Sequence, residues 1–280
     1  MTSFTGQVIL ITGASSGIGA ALAREFARAG GDLVLAARRL DRLEHVRADV
    51  EREGRRAAVV ACDVTVDGDV EKAADLARQT FGRLDVVVAN AGYGVVGPVE
   101  RLTLDDYRRQ FETNVFGVLR TVYATLADLK ASRGRLVIIG SVNGYVAPPG
   151  TGPYAMSKFA VRALADALGH ELAPAGVSVV LINPGFVESE IRQVDNRGVW
   201  HAEPAVGPPR WLVMPADRAA RQIVRAVAGR RREAVITGLG KVAVFVQRHV
   251  PGLVALVLRR ARIRGRGEPA AARPTPARRG

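Results

Sequence analysis

The chain has 280 residues, 48% hydrophobic and 24% charged, a composition that can fill one large core and does not suit a disordered or fibrous protein. Its formal net charge of +13 is partly local: residues 259 to 280 hold eight arginines and one glutamate, with no aromatic side chain among them to stack bases, which argues against specific nucleic-acid recognition. The single cysteine, Cys62, cannot form an intrachain disulfide, and Met1 to Leu10 lack the basic opening of a secretory leader, so a reducing, cytoplasmic setting is expected.

Gln7 to Thr12 is a short β-branched run followed at once by Gly13, Ala14, Ser15, Ser16, Gly17, Ile18 and Gly19, then by a helical pattern through Leu22 and Phe26. Strand, glycine turn and helix in this order make a site for a diphosphate, because glycines admit the phosphate close to the backbone and the helix start offers unpaired N–H groups. A second strand, Asp32 to Ala37, ends where such a fold reads the adenosine ribose. An acidic residue there would select NAD; here Arg38 and Arg39 follow Ala37, and guanidinium groups suit a 2′-phosphate, so NADP(H) is expected.

The alternation continues with a helix from Leu40 to Glu53, a strand from Ala57 to Ala61, a helix from Asp67 to Phe81 and a strand from Leu84 to Ala89. Near-continuous apolar strands point to a parallel sheet buried on both faces, an α/β fold. Asp63 and Val64, then Asn90, Ala91 and Gly92, lie just past the carboxyl ends of the third and fourth strands, where open sheets of this kind bind ligands; Asp63 reads equally well as a cap for the following helix. One long helix is expected from Thr103 to Ala131, carrying Asn114, and a fifth strand, Arg135 to Ile139, delivers Ser141 to the same edge.

Tyr154 and Lys158 stand four apart in Tyr-Ala-Met-Ser-Lys, on one face of the next predicted helix. An ammonium beside a phenol favours the phenolate, and bringing a tyrosine from a pKa of about 10 toward neutrality takes roughly 4 kcal/mol of such interaction, so the pair is a candidate general acid and base. A sixth strand, Val177 to Ile182, runs into Asn183-Pro184-Gly185. Residues 186 to 214, with two tryptophans and no periodicity, read as a substrate lid; a helix from Pro215 to Arg230 and a seventh strand from Ala234 to Thr237 follow. From Leu239 to Leu258, 13 of 20 residues are apolar, broken by charges and by Pro251; two short helices meeting at Pro251 are expected, packed on the lid or a partner subunit or lying on a membrane surface. The division expected is a catalytic domain over 1–238, an apolar and basic extension over 239–265 and a disordered tail over 266–280.

Together, Thr12-Gly13-x-x-x-Gly17-x-Gly19, Asn90-Ala91-Gly92, Asn114, Ser141, Tyr154-x-x-x-Lys158 and Asn183-Pro184-Gly185 resemble the short-chain dehydrogenase/reductase family in its shorter form, over about residues 6 to 238. The resemblance implies a doubly wound Rossmann-type fold with a seven-stranded parallel sheet and helices on both faces, binding a pyridine nucleotide and no metal. It implies that Tyr154 exchanges the substrate proton, that Lys158 tunes it and holds the nicotinamide ribose, that Ser141 orients the substrate oxygen and that Asn114 holds a water. Pro184, Gly185, Val187 and Ser189 would border the nicotinamide. The expected activity is NADP(H)-dependent interconversion of a ketone or aldehyde with an alcohol on a lipophilic small molecule, in a homodimer or homotetramer. The alternatives are reduction of a 3-oxoacyl group on an acyl carrier protein and a nucleotide-sensing protein without turnover.

Overall fold

The computed structural model describes residues 3–203 and 207–260; the expected tail over 266–280 and the last residues of the extension lie outside them. The chain alternates strand and helix: β1 (Val8–Thr12), α1 (Gly17–Arg28), β2 (Asp32–Ala37), α2 (Leu40–Arg52), β3 (Ala57–Ala61), α3 (Asp69–Phe81), β4 (Val86–Ala89), α4 (Leu104–Phe111), α5 (Gly117–Ser132), β5 (Arg135–Ile139), α6 (Gly152–Glu171), β6 (Ser178–Asn183), α7 (Ala216–Ala228), β7 (Glu233–Val235), α8 (Gly238–His249) and α9 (Pro251–Arg260). The seven strands form one parallel sheet in the order β3-β2-β1-β4-β5-β6-β7.

The period of two along each strand divides the core into two layers. Ile9, Ile11, Leu33, Leu35, Val86 and Val88 face α1, α2 and α7, where they meet Leu22, Phe26, Leu43, Val46, Ile223 and Val227. The alternate residues, among them Leu10, Val34, Val87, Leu136 and Ile138, face α3, α5 and α6 and meet Ala73, Val122, Leu129, Val161 and Leu168. The inner strands are therefore apolar along most of their length, which is why they were visible as apolar runs, while the edge strands β3 and β7 are only partly buried. The strand order reverses direction at β1, whose two neighbours are β2 and β4, and the crevice at the carboxyl ends of these strands is where ligands bind in such sheets.

Several boundaries differ from the expectations. The helix expected over Thr103 to Ala131 is two helices joined by a wider π turn, Glu112–Phe116, and starts with Thr103 and Asp106 capping one another's backbone. α3 starts at Asp69 rather than Asp67 because Gly68, at φ +87°, breaks the path into it. The seventh strand spans Glu233–Val235, and Thr237, expected within it, instead caps α8 by accepting the Gly240 N–H at 3.2 Å. α8 and α9 do meet at Pro251, bent by 118°.

Asp32, at the start of β2, is 6% exposed and accepts hydrogen bonds from Arg55 Nη2 at 2.6 Å, Arg56 Nη2 at 2.8 Å and the Arg56 N–H at 3.1 Å. Burial pushes its pKa up, but the Arg56 hydrogen bonds and the charges of Arg55 and Arg56 outweigh this and hold the carboxyl below its ordinary value. Asp32→Asn should cost about 1.5–3 kcal/mol at neutral pH, the range for hydrogen bonds to a charged group. Because the folded-state pKa is depressed, this contribution is present above the unfolded carboxyl pKa of about 3.9 and is lost as pH falls through the folded value. Urea unfolding should show a gap between wild type and variant at neutral pH that closes in acid; a gap independent of pH would mean the charge of Asp32 is not what matters.

Candidate active site

The turn between β1 and α1 is closed by contacts that leave no room for side chains. A Cβ at Gly19 would sit 2.3 Å from the Gly13 carbonyl oxygen and 2.7 Å from Asn90 Nδ2, and one at Gly13 would sit 2.8 Å from Ala91 Cα. Gly13 also holds φ +68°, which disfavours any other residue. Asn90 Nδ2 donates to the carbonyls of Thr12 (2.9 Å) and Gly13 (3.1 Å), while Thr12 Oγ1 accepts the Asn90 N–H at 3.1 Å. The turn and the Asn90-Ala91-Gly92 segment are thus one rigid piece at the crevice. Ser16, the N-cap of α1, makes no side-chain cap bond, so the helix start keeps its N–H groups for an anion.

At the far end of the crevice the two arginines after β2 behave differently. Arg39 turns inward, donating from Nη2 to Ser16 Oγ (3.0 Å), Ser15 Oγ (3.3 Å) and Glu190 Oε2 (2.8 Å). Arg38 points into solvent, its side chain 64% exposed and 3.9 Å from Asp63. Glu190, which follows Ser189 in the lid, also pairs with Arg42, whose guanidinium lies 5.7 Å from the Trp200 ring centroid. Burial raises the Glu190 pKa, but hydrogen bonds and charge from Arg39 and Arg42 prevail and lower it. Asp63 accepts the Thr65 N–H (3.0 Å) and hydroxyl (2.8 Å) and is not the cap of α3, a place taken by Gly68. Val64 is buried against the core beside it.

At the near end, α6 carries Tyr154 and Lys158 toward the end of β5. Lys158 is 7% exposed; its Nζ donates to the Ile139 carbonyl at 2.9 Å and lies 5.7 Å from the Tyr154 ring centroid. Burial pulls the Lys158 pKa down to about 8. Ser141 is fixed from two sides: its N–H donates to Asn183 Oδ1 at 3.2 Å, and its Oγ accepts the Asn143 N–H at 3.1 Å. With that lone pair in use, the hydroxyl proton is left to be donated elsewhere.

The lid crosses the glycine turn, since a Cβ built on Gly17 would lie 3.0 Å from Ser189 Cβ; Val187 pairs with Met214 at its base. Pro184 accepts the Val142 N–H at 3.0 Å, and Gly185 abuts Thr237. All the residues expected from sequence at the site, Asn114 excepted, line a single cleft of about 2110 Å³. Asn114 is buried behind it in the π turn, where Oδ1 accepts the Tyr93 N–H (3.1 Å) and Nδ2 donates to the Tyr93 carbonyl (3.0 Å) and Ser157 Oγ (3.2 Å). Its amide is therefore a brace between α6 and the segment after β4. Pockets for single small ligands run to about 300–1,000 Å³, so this cleft has room for a dinucleotide and a second molecule. Its other walls are mixed: Val96, Val146, Pro148, Phe186, Leu212 and Leu239 are apolar, while Arg109, Glu112, Asn143, Arg192 and Arg197 are polar or charged. Sequence reasoning missed Glu190, whose partners Arg39 and Arg42 stand 151 and 148 residues away.

The family model described as short chain dehydrogenase matches residues 7–199. An uncharacterized oxidoreductase of Staphylococcus aureus strain MW2 is 34% identical over 197 residues, covering 70% of this chain and 84% of the relative. The 11-beta-hydroxysteroid dehydrogenase A of Sesamum indicum is 34% identical over 238 residues, 81% of this chain and 67% of the relative. Among solved structures, an alcohol dehydrogenase from the archaeon Thermococcus sibiricus complexed with 5-hydroxy-NADP superposes with a TM-score of 0.73 at 30% identity, covering 84% of this chain and 97% of the other. A short chain dehydrogenase/reductase from Burkholderia phymatum in complex with NAD reaches a TM-score of 0.80 at 28% identity, with 90% and 96% covered.

Proposed function

The chain belongs to the short-chain dehydrogenase family and is an oxidoreductase, and from that premise we propose that it interconverts a lipophilic ketone or aldehyde with the corresponding alcohol, using NADP(H). The observation that carries this reading is that one cleft has an inward-facing arginine, Arg39, at one end and Ser141, Tyr154 and Lys158 at the other. The glycine turn, too tight for a Cβ at Gly13 or Gly19 and open at the start of α1, fits a diphosphate. When bound, the nicotinamide supplies or takes the hydride.

The chain's own groups do the rest. In carbonyl reduction the Tyr154 hydroxyl gives its proton to the substrate oxygen, and the Lys158 ammonium makes the resulting phenolate less costly. The Ser141 hydroxyl donates to the same oxygen as negative charge builds there. Asn114, its amide bonded to the Tyr93 backbone and Ser157 behind the cleft, holds the π turn in shape and acts through that turn rather than on the substrate. Arg39 takes the 2′-phosphate in charge-assisted hydrogen bonds together with the Ser15 and Ser16 hydroxyls. Glu190 then keeps Arg42 as a partner, so freeing Arg39 does not strand a carboxylate. The apolar part of the wall, Val146, Phe186, Leu212 and Leu239, favours a lipophilic substrate. Two relatives fit this reading: one is named for a hydroxysteroid, and the other was solved with a derivative of NADP.

Tyr154→Phe keeps the ring and removes the proton; assayed with NADPH and a panel of ketones, it should lose turnover by about 10²- to 10⁴-fold with cofactor affinity nearly intact. A variant retaining more than about a tenth of the rate would remove Tyr154 from the role. Wild type that binds NADPH yet reduces none of the ketones would instead favour a nucleotide-sensing protein.

The Lys158 ammonium, its pKa lowered to about 8, is protonated below that pH and neutral above it. Carbonyl reduction should therefore fall as pH rises through about 8 and be flat below it. Initial rates at saturating cofactor that stay constant into the alkaline range would show that the lysine charge does not matter to the chemistry.

Arg39→Ala should weaken NADPH by about 1.5–3 kcal/mol and leave NADH nearly unchanged, whereas Arg38→Ala should do much less to either. Titration by the change in nicotinamide fluorescence distinguishes the two, and equal losses for both cofactors in Arg39→Ala would make that arginine structural.

A further inference from the structure

The C-terminal helices leave an apolar surface uncovered. α8 is seated on its inner side by Val244 against Tyr145 and Val146, and α9 by Val254 and Leu258. Their outer sides show Leu239, Val242 and Phe245 on α8 and Leu253, Leu256 and Val257 on α9, each about half exposed or more. Of the 19 large hydrophobic side chains exposed among the described residues, seven fall within residues 239–257, so this is a concentrated patch rather than ordinary surface scatter. Leu239 belongs to both surfaces, since with Gly240 and Ala243 it also lines the cleft.

We propose that α8 and α9 dock on an anionic lipid surface and that the cleft receives lipophilic carbonyl substrates from it along the Leu239 side of α8; the substrate part rests on the carbonyl-reductase reading, the docking part does not. Charge decides for lipid over a second copy. On the described helices, residues 238–260, the basic residues are Lys241, Arg248, Arg259 and Arg260, with no acidic residue. A two-fold pairing of this surface with itself would set like charges face to face, while anionic lipid supplies the missing sign. Lys241, Arg259 and Arg260 are exposed beside the apolar residues. Neither helix alone is long and apolar enough to cross a bilayer; the two reach that length and composition only together across a 118° bend, and Lys241, Arg248, Arg259 and Arg260 on them favour lying in the interface over entering the core.

The test uses the full chain floated with vesicles of phosphatidylcholine alone or mixed with phosphatidylglycerol, at low and high salt. The proposal expects binding to the mixed vesicles only, weakened by salt. Arg259→Gln with Arg260→Gln should lower the partition coefficient by roughly thirtyfold, about fivefold per charge, and Leu256→Glu should reduce it at least as far. These positions lie outside the cleft, so turnover of a small water-soluble aldehyde should be unchanged and confirm that the variants are folded. A long-chain ketone dissolved in the vesicles should be reduced faster by wild type than by either variant. Wild type that ignores mixed vesicles at low salt overturns the proposal, and if Leu256→Glu also halves the mass in light scattering, the patch belongs to a second copy. Equal rates on the vesicle-dissolved ketone overturn delivery from lipid. If no carbonyl is reduced yet flotation behaves as expected, the activity reading fails and the docking surface stands.

Discussion

Lys158 keeps its ammonium group in a nearly dry position, hydrogen-bonded to the Ile139 carbonyl and with no carboxylate partner among the described residues, and such burial is unfavourable for a cation. The fold sustains this by closing the end of β5 tightly against α6. A Cβ at Gly144 would lie 2.9 Å from the Lys158 carbonyl oxygen, so only glycine lets the turn after Ser141 press on the helix backbone at the lysine itself. The same approach sets Ser141 and the Tyr154–Lys158 face into one arrangement. Low polarity around the ammonium then strengthens its effect on anything ionised beside it. A cation that is poorly placed for stability is well placed to favour a phenolate.

What could be read from sequence was what depends on local pattern. Strands buried on both faces announce themselves as unbroken apolar runs, the glycine turn needs its spacing, and Tyr154 and Lys158 share a helix face by periodicity alone. The π turn at Asn114 gave no such sign. No proline breaks the segment, and the widening is tied to the Tyr93 backbone, 21 residues earlier, which the Asn114 amide grips on both its N–H and its carbonyl. The unequal roles of Arg38 and Arg39 were equally hidden, because adjacent arginines after a strand look alike until Ser15, Ser16 and Glu190 are brought to one of them.

Glu190 ties the lid to the nucleotide end of the crevice through Arg39 and Arg42, while Ser189 beside it lies over the glycine turn. The lid is thus held at both ends, by Glu190 at the arginine end and by Asn196, which accepts the Val96 N–H at 3.0 Å and donates to the Val96 carbonyl at 2.9 Å, at the other. Pairing of exposed charges contributes little, but this carboxylate is largely shielded and has two guanidinium partners, so its geometry is better determined than a lone surface pair.

A second polar network fixes the C-terminal helices to the chemistry. Asn183 accepts the Ser141 N–H and donates to Glu233 Oε1 at 3.2 Å; Glu233 accepts the Tyr145 hydroxyl and pairs with Arg248 of α8 at 3.1 Å. Arg162 and Arg248 lie 3.8 and 4.9 Å from the Tyr145 ring centroid. The inner side of α8 is therefore specified by directional bonds as well as by packing. With Val244 packed inward and Arg248 bonded to Glu233 on the same side, Leu239, Val242 and Phe245 face out. The helix that carries the outward apolar surface is thus joined, through Glu233 and Asn183, to the Ser141 backbone.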